Sequence, residues 1–155
     1  AVMRVQLTRL DGILADLRKN KKYLMDAIAD IAQFVPSNDL EGDCGTTLAL
    51  RFETEEKARA FATAPGVRGT LPIDTGRHVY THWEPIMKKR GALHPAMDPF
   101  KMEANRDIVP DYRPEMCPAT LDYLARSVYI GVDPNHSAEK LDEKIAALRA
   151  ALQNL

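Results

Sequence analysis

The first 34 residues carry one apolar repeat with the period of an α-helix. Its members are Val2, Val5, Leu7, Leu10, Ile13, Leu14, Leu17, Leu24, Ile28 and Ile31. A spacing near 3.6 residues predicts a single amphipathic helix. A helix of about 30 residues is roughly 45 Å long, which is long for a small domain. We therefore expect residues 1–35 to form a connecting helix that links parts of a larger protein.

The remaining residues, 36–155, alternate between extended and helical patterns. In the segment 41–54, the side chains of Thr46, Leu48, Leu50 and Phe52 fall on one face of a predicted strand. Shorter strands are predicted at 67–73 and 127–133, and helices at 55–64, 85–90, 118–126 and after Ser137. Thr54 and Ser137 are predicted N-caps. We expect a small α+β domain with a mainly antiparallel sheet and helices on one face.

Composition and charge exclude several classes of protein. The chain has 155 residues, of which 21 are basic and 22 acidic, so its net charge of −1 gives no electrostatic footprint for nucleic acid or an anionic membrane. No apolar run approaches the roughly 20 residues that span a bilayer. Cys44 and Cys117 are expected to be reduced core thiols. These features predict a cytoplasmic protein.

One segment, TGRHVYTHWEPIMKK from Thr75 to Lys89, concentrates polar and aromatic side chains. Together with Asp74, its candidate ligand-binding residues are Thr75, Arg77, His78, Tyr80, His82 and Trp83. They lie between two predicted elements, where binding residues concentrate. Such groups suit a sugar's hydroxyls, a carboxylate or a phosphate, with Arg77 as the anion clamp. A solvated polar loop without a ligand is the open alternative.

The same segment contains two histidines at H-x3-H spacing, His78 and His82. Zinc requires three or four protein ligands or a bound water, and the nearest carboxylates, Asp74 and Glu84, are not at a recognised spacing. Pro85 also disfavours a continuous helix through both rings. We predict no metal site here. The basic run RKNKK, residues 18–22, is interpreted as a solvated helix face.

Both ends of the chain match a known pattern. Gln6, Leu7, Leu10 and Asp11 in AVMRVQLTRLDGILADLRKNKKYLMDAI, and the closing CPATLDYLARSVYIGVDPNHSAEKLDEKIAALRAAL, are similar to segments of the DegT/DnrJ/StrS sugar aminotransferases. In that family the first segment leads into the helix that joins the large and small domains. The middle segment GVRGTLPIDTGRHVYTHWEPI stands where the family faces its substrate. There PIDTGR replaces the family's usual Tyr-Tyr run.

The resemblance implies the C-terminal small domain of a fold-type-I, pyridoxal-phosphate-dependent aminotransferase. Such enzymes act on a keto-sugar or cyclitol in nucleotide-sugar or polysaccharide biosynthesis, with glutamate or glutamine as amino donor, and form homodimers. The cofactor and the catalytic lysine belong to the large domain, whose motifs this sequence lacks. The resemblance therefore implies no catalytic or cofactor-binding residue here, and no activity of this part alone. Arg77, His78, Tyr80, His82 and Trp83 would form one wall of the substrate pocket, and an acidic sugar such as an octulosonate would suit Arg77.

Two other hypotheses fit the same residues. The chain could be an independent α+β binding or regulatory module. It could also be the small domain of a pyridoxal-phosphate-dependent sugar dehydratase, in which a histidine replaces the catalytic lysine. The sequence identifies neither the sugar nor the amino donor.

Overall fold

The computed structural model of the chain describes residues 2–108 and 110–155. In this part the protein is α+β, with six α-helices and a two-stranded antiparallel sheet. The helices are α1 (Val2–Leu7), α2 (Leu10–Asp26), α3 (Glu55–Thr63), α4 (Glu84–Met87), α5 (Pro118–Ala125) and α6 (Ala138–Gln153), and the strands are β1 (Thr47–Arg51) and β2 (Ser127–Gly131). The chain divides into two units. The first runs to Leu71 and resumes at Ala125, and the second comprises Pro72–Leu124.

The core of the first unit is built on β1 and β2, which pair antiparallel with Ala49 opposite Tyr129. The predicted alternation in β1 is confirmed, because Leu48, Leu50 and the following Phe52 are all buried. Residues 33–35 flank the other edge of β1: the Val35 N–H donates to the Ala49 carbonyl at 2.9 Å. The apolar repeat of the N-terminal region predicts the end of a helix here, and the segment pairs with β1 instead.

The long N-terminal helix is not continuous, so this prediction is wrong. The chain forms α1 and α2 with a break at Thr8 and Arg9, where the Thr8 hydroxyl donates to the Val5 carbonyl at 2.7 Å. Such a local side-chain bond competes with the helical pattern. After α2, Arg149 donates to the Ala27 carbonyl at 2.6 Å and to both carboxylate oxygens of Asp30 at 2.8 Å. A residue far along the sequence therefore fixes the chain after the helix.

The predicted strand 67–73 is reduced to a single antiparallel bridge between Thr70 and Tyr129. Arg68 interrupts the extended backbone, since its φ is 52°, in the left-handed region. On the other side, Pro72 has no N–H to donate to a ladder and begins the 3-10 turn Pro72–Asp74. The strand predicted at 67–73 is therefore too long, because only its central residue, Thr70, pairs with another strand.

Local capping signals in the sequence were reliable. The Thr54 hydroxyl accepts from the Lys57 N–H at 3.3 Å at the start of α3, and the Ser137 hydroxyl accepts from the Lys140 N–H at 3.4 Å at the start of α6. The helix predicted at 85–90 is shorter than expected: α4 ends at Met87, because Lys89 adopts a φ of 47°.

The basic run 18–22 is more than a solvated helix face. Arg18 donates to the carbonyls of Asp43 and Glu41 at 2.7 and 2.8 Å, and Lys21 forms a largely buried ion pair with Asp43. The Lys21 ammonium, helped by the Gly45 N–H, holds the pKa of Asp43 below its usual value. These contacts fix residues 41–45 against α2.

The sequence also predicts where the two cysteines lie and that the chain has no membrane-spanning segment. Cys44 and Cys117 are free thiols, but both are exposed, so their assignment to the core is wrong. Within the described ranges, none of the helices has the length and apolar composition needed to cross a bilayer.

The second unit contains a buried carboxylate, Asp98, which is 1% exposed. Its Oδ1 accepts from the Phe100 N–H at 3.0 Å, and its Oδ2 lies 3.0 Å from the Lys101 ammonium. Lys101, with the Phe100 N–H, holds the pKa of Asp98 below its usual value against the opposing effect of burial. Asp98 therefore organises the turn that leads into residues 99–102.

We expect Asp98→Asn to reduce the sensitivity of this unit to acid. A carboxyl whose pKa is lower in the folded chain stabilises the fold above its unfolded pKa of about 3.9, and this contribution is lost as the pH falls through the lowered folded pKa. The variant should be less stable than the parent at neutral pH, and the difference should shrink below about pH 4. Urea unfolding followed by Trp83 fluorescence reports on this unit, because Trp83 is the chain's only tryptophan. Asp107→Asn is the control, since that side chain is 90% exposed. A stability difference independent of pH would contradict the assignment.

Candidate functional site

The polar segment 74–83 lies in the second unit as a series of tight turns. Two 3-10 turns, Pro72–Asp74 and Tyr80–His82, bracket it. The Thr75 hydroxyl donates to the Pro72 carbonyl at 3.0 Å and accepts from the His78 N–H at 3.3 Å. Val79, in the middle of the segment, is buried, with 2% of its surface exposed. The backbone that carries the candidate side chains is therefore held by its own hydrogen bonds.

Tyr80 ties this segment to residues 114–117 of the same unit. Its hydroxyl donates to the Pro114 carbonyl and accepts from the Cys117 N–H at 3.2 Å. The hydroxyl thus has partners within the protein, and the ring is half-buried. In this arrangement Tyr80 acts first as a support for the turn, and its predicted contact with substrate stays a prediction.

Arg77 and His78 lie in the bend before the 3-10 turn Tyr80–His82, and Trp83 follows that turn. All three are exposed, and the Trp83 ring exposes 52% of its surface. The Trp83 indole N–H donates to the Arg77 carbonyl at 3.4 Å, which places the indole beside the Arg77 backbone. A cation, an imidazole and a flat aromatic surface are thereby available to a ligand over one short stretch of chain.

His82 differs from the other members of the segment. It is half-buried, and its Nδ1 is enclosed without a hydrogen-bond partner among the described residues. Buried polar atoms are normally paired, so this nitrogen is a candidate for a contact that only a ligand or water would supply.

His78 lies on a bend and His82 in a 3-10 turn, so the two rings do not share a helix. Over residues 2–108 and 110–155, no three His, Cys, Asp or Glu side chains are grouped to hold a metal ion.

The segment does not suit the cofactor that the resemblance implies. Pyridoxal phosphate needs a lysine that bonds covalently to it, and residues 74–83 contain none. The lysines that follow are engaged elsewhere: Lys88 pairs with Glu84 at 2.7 Å, and Lys89 lies 4.0 Å from Asp111. The segment can contact a substrate, whereas the cofactor would need residues from outside it.

A second group of polar residues lies in the first unit, and no sequence pattern indicates it. Arg68, His136 and Lys144 line one cavity there, although about 70 residues separate Arg68 from the other two. Neither spacing nor composition marks them, because the fold alone brings them together.

Comparison of the sequence with models of known protein families gives no match.

Proposed function

We propose that this chain is the small-domain portion of a pyridoxal-phosphate-dependent aminotransferase that acts on a keto-sugar. In this proposal, residues 74–83 form one wall of the substrate pocket. The observation that carries it is the hydrogen-bonded segment that exposes Arg77, His78 and Trp83 within one short stretch of chain. Trp83 would stack on the sugar ring, and Arg77 would bind an anionic substituent. The likeness of both chain ends to the sugar aminotransferases supports the same assignment.

The surface of α1 also supports a function within a larger assembly. No residue of this helix is buried. Val2, Met3, Val5 and Leu7 are each more than 60% exposed. Contiguous exposed apolar side chains usually mark a surface that another protein covers. In the proposed enzyme this surface would contact the cofactor-binding domain or the second subunit of a homodimer.

The cofactor chemistry would then come from outside the chain. Pyridoxal phosphate supplies the electron sink for amino transfer. The residues described here would bind and orient the sugar beside it and exclude water from that side of the pocket. Without the cofactor-binding part, this chain should be inactive.

The test uses the complete polypeptide encoded by the gene. We expect it to show the cofactor's visible absorption band and to transfer an amino group from glutamate or glutamine to a keto-sugar. Trp83→Ala should raise KM for the sugar about tenfold, the equivalent of about 1.4 kcal/mol of lost stacking, and leave the absorption band unchanged.

A matched control is Leu93→Ala, also in the second unit, because Leu93 is fully exposed. Its KM should equal that of the parent. A complete polypeptide without the absorption band would refute the proposal and favour an independent binding module. Release of water from the sugar without amino transfer would instead identify a dehydratase.

A further inference from the structure

A cavity of about 410 Å³ lies in the first unit, between the loop after α3 and one side of α6. Its volume falls within the range of small-molecule sites. The lining residues are Gly66, Val67, Arg68, His136, Lys140, Glu143, Lys144 and Ala147. Three carry cationic side chains and one carries a carboxylate, so the lining is positively charged.

The one carboxylate of the lining, Glu143, does not neutralise the three cationic side chains. Glu143 already pairs with Lys140 at 2.6 Å. The Arg68 guanidinium has no hydrogen-bond or ion-pair partner among the described residues. Lys144 donates to the carbonyl of Gly131, an uncharged acceptor, at 2.7 Å. Two cations, Arg68 and Lys144, therefore face the cavity without a carboxylate bonded to them.

The pKa of Lys144 is shifted by its burial and by the charges around it. Burial lowers its pKa, the charge of Arg68 lowers it further, and Asp133 opposes the shift. The Asp133 carboxylate is itself engaged: it accepts from the Asn135 N–H at 2.8 Å and lies 3.9 Å from the His136 ring. The positive charge at Lys144 is thus only partly compensated within the protein.

His136 lines this cavity and also a second one beside α2. Its Nδ1 is enclosed and lacks a partner among the residues described. Either ring nitrogen of histidine can carry a proton and donate a hydrogen bond. The enclosed nitrogen has almost no accessible surface, so the ring would have to rotate before it could donate to an acceptor in the cavity.

The backbone at Arg68 is also unusual. Its φ of 52° lies in the region that glycine adopts without strain, and a side chain there costs about 1 kcal/mol. Non-glycine residues in such conformations cluster at functional sites. The strained position carries a cation that points to no partner in the protein.

We propose that this cavity binds a small molecule through a phosphate group, with Arg68 and Lys144 as its cationic ligands. A phosphate dianion matches two uncompensated cations in charge, and a guanidinium binds phosphate oxygens in a bidentate manner. The shared chemistry is the phosphate group, whether of an ester or of the free ion. The site does not depend on the aminotransferase assignment.

A second basic cavity in the chain shows the contrast. It lies in the second unit and is lined by Lys88, Lys89, Arg90 and Lys101. There Lys88 and Arg90 pair with Glu84, Lys101 pairs with Asp98, and Lys89 approaches Asp111. Each of its four cations has a carboxylate oxygen within 4.0 Å, so it lacks the feature that identifies the first cavity.

The test is a titration of the ¹⁵N-labelled chain with inorganic phosphate and, in a second arm, ribose 5-phosphate, at constant ionic strength. We expect saturable shifts at the amides of Arg68, His136 and Lys144. Arg68→Gly should weaken binding by about tenfold or more, since it removes the charge-assisted bonds. This variant should fold at least as well as the parent, because glycine relieves the positive φ. Tighter binding of the ester would identify a phosphorylated metabolite, and equal binding would identify free phosphate.

The chain offers a matched control. Lys89→Gly also removes a cation at a positive φ, 47°, but lies outside this cavity, so its affinity for phosphate should equal that of the parent. Lys144→Gln removes the second charge but retains a donor for Gly131, and it too should weaken binding by about tenfold. Absence of saturable shifts, or equal affinity in the parent, Arg68→Gly and Lys144→Gln, would overturn the proposal.

Discussion

Phe61→Ala should destabilise the first unit by about 3–5 kcal/mol, as large-to-small substitutions of buried aromatics do. Phe61 lies on α3, its side chain is fully buried, and its ring centre is 4.9 Å from that of Phe52. Truncation would remove apolar contacts and leave a cavity beneath the sheet. Because small proteins have a total stability of about 5–15 kcal/mol, such a loss is a large fraction of the whole. Urea unfolding followed by amide hydrogen exchange of β1 and β2 measures it.

Two further variants sharpen this measurement. Leu40→Ala, at an exposed position of the same unit, should change stability by less than about 0.5 kcal/mol. A double-mutant cycle with Phe52→Ala should give a coupling of about 0.5–1.5 kcal/mol for the ring pair. A loss below about 1 kcal/mol for Phe61→Ala would show that Phe61 is not part of a close-packed core.

Gly45→Ala should destabilise the same unit by about 2–4 kcal/mol, through two additive causes. The φ of Gly45 is +76°, where an alanine is strained. An added Cβ would also lie 2.8 Å from backbone atoms of Leu17 and Arg18, which belong to α2 and cannot move independently. The loop 41–45 would have to detach from the helix. Thermal unfolding followed by far-UV circular dichroism measures the loss.

Gly12→Ala is the matched control, because it places the same methyl group on α2 itself. No atom lies within 4 Å of the added Cβ, and the residue is helical. Alanine should therefore stabilise the helix by up to about 1 kcal/mol. If Gly45→Ala proved as stable as the parent, the close approach of the loop to α2 would be disproved.

Features that depend on neighbours in the sequence could be predicted. The capping of α3 by Thr54 and of α6 by Ser137 joins residues three apart, so the signal is contained in a few letters. The alternation in β1 was equally predictable, because burial of Leu48 and Leu50 on one face follows from the two-residue period of a strand. The polar and aromatic content of residues 74–83 was equally visible in the sequence, whereas a role of Arg77, His78 and Trp83 in ligand binding stays a prediction.

Features that depend on residues distant in the sequence could not be predicted. The chain after α2 is fixed by Arg149, more than a hundred residues away, and residues 33–35 pair with β1 instead of continuing a helix. The support role of Tyr80 depends on Pro114 and Cys117, which no local pattern connects to it.

The sequence by itself determined the α+β class, the positions of the capped helices and the polar segment 74–83. Periodicity and capping are local properties, and they do not require knowledge of what packs against them. Only the tertiary structure decided where α2 ends, how short the 67–73 pairing is, and which cations remain without a carboxylate. The positively charged cavity of Arg68, His136 and Lys144 exists because folding brings one loop against α6, and the energy of each charge depends on the partners that this contact supplies or withholds.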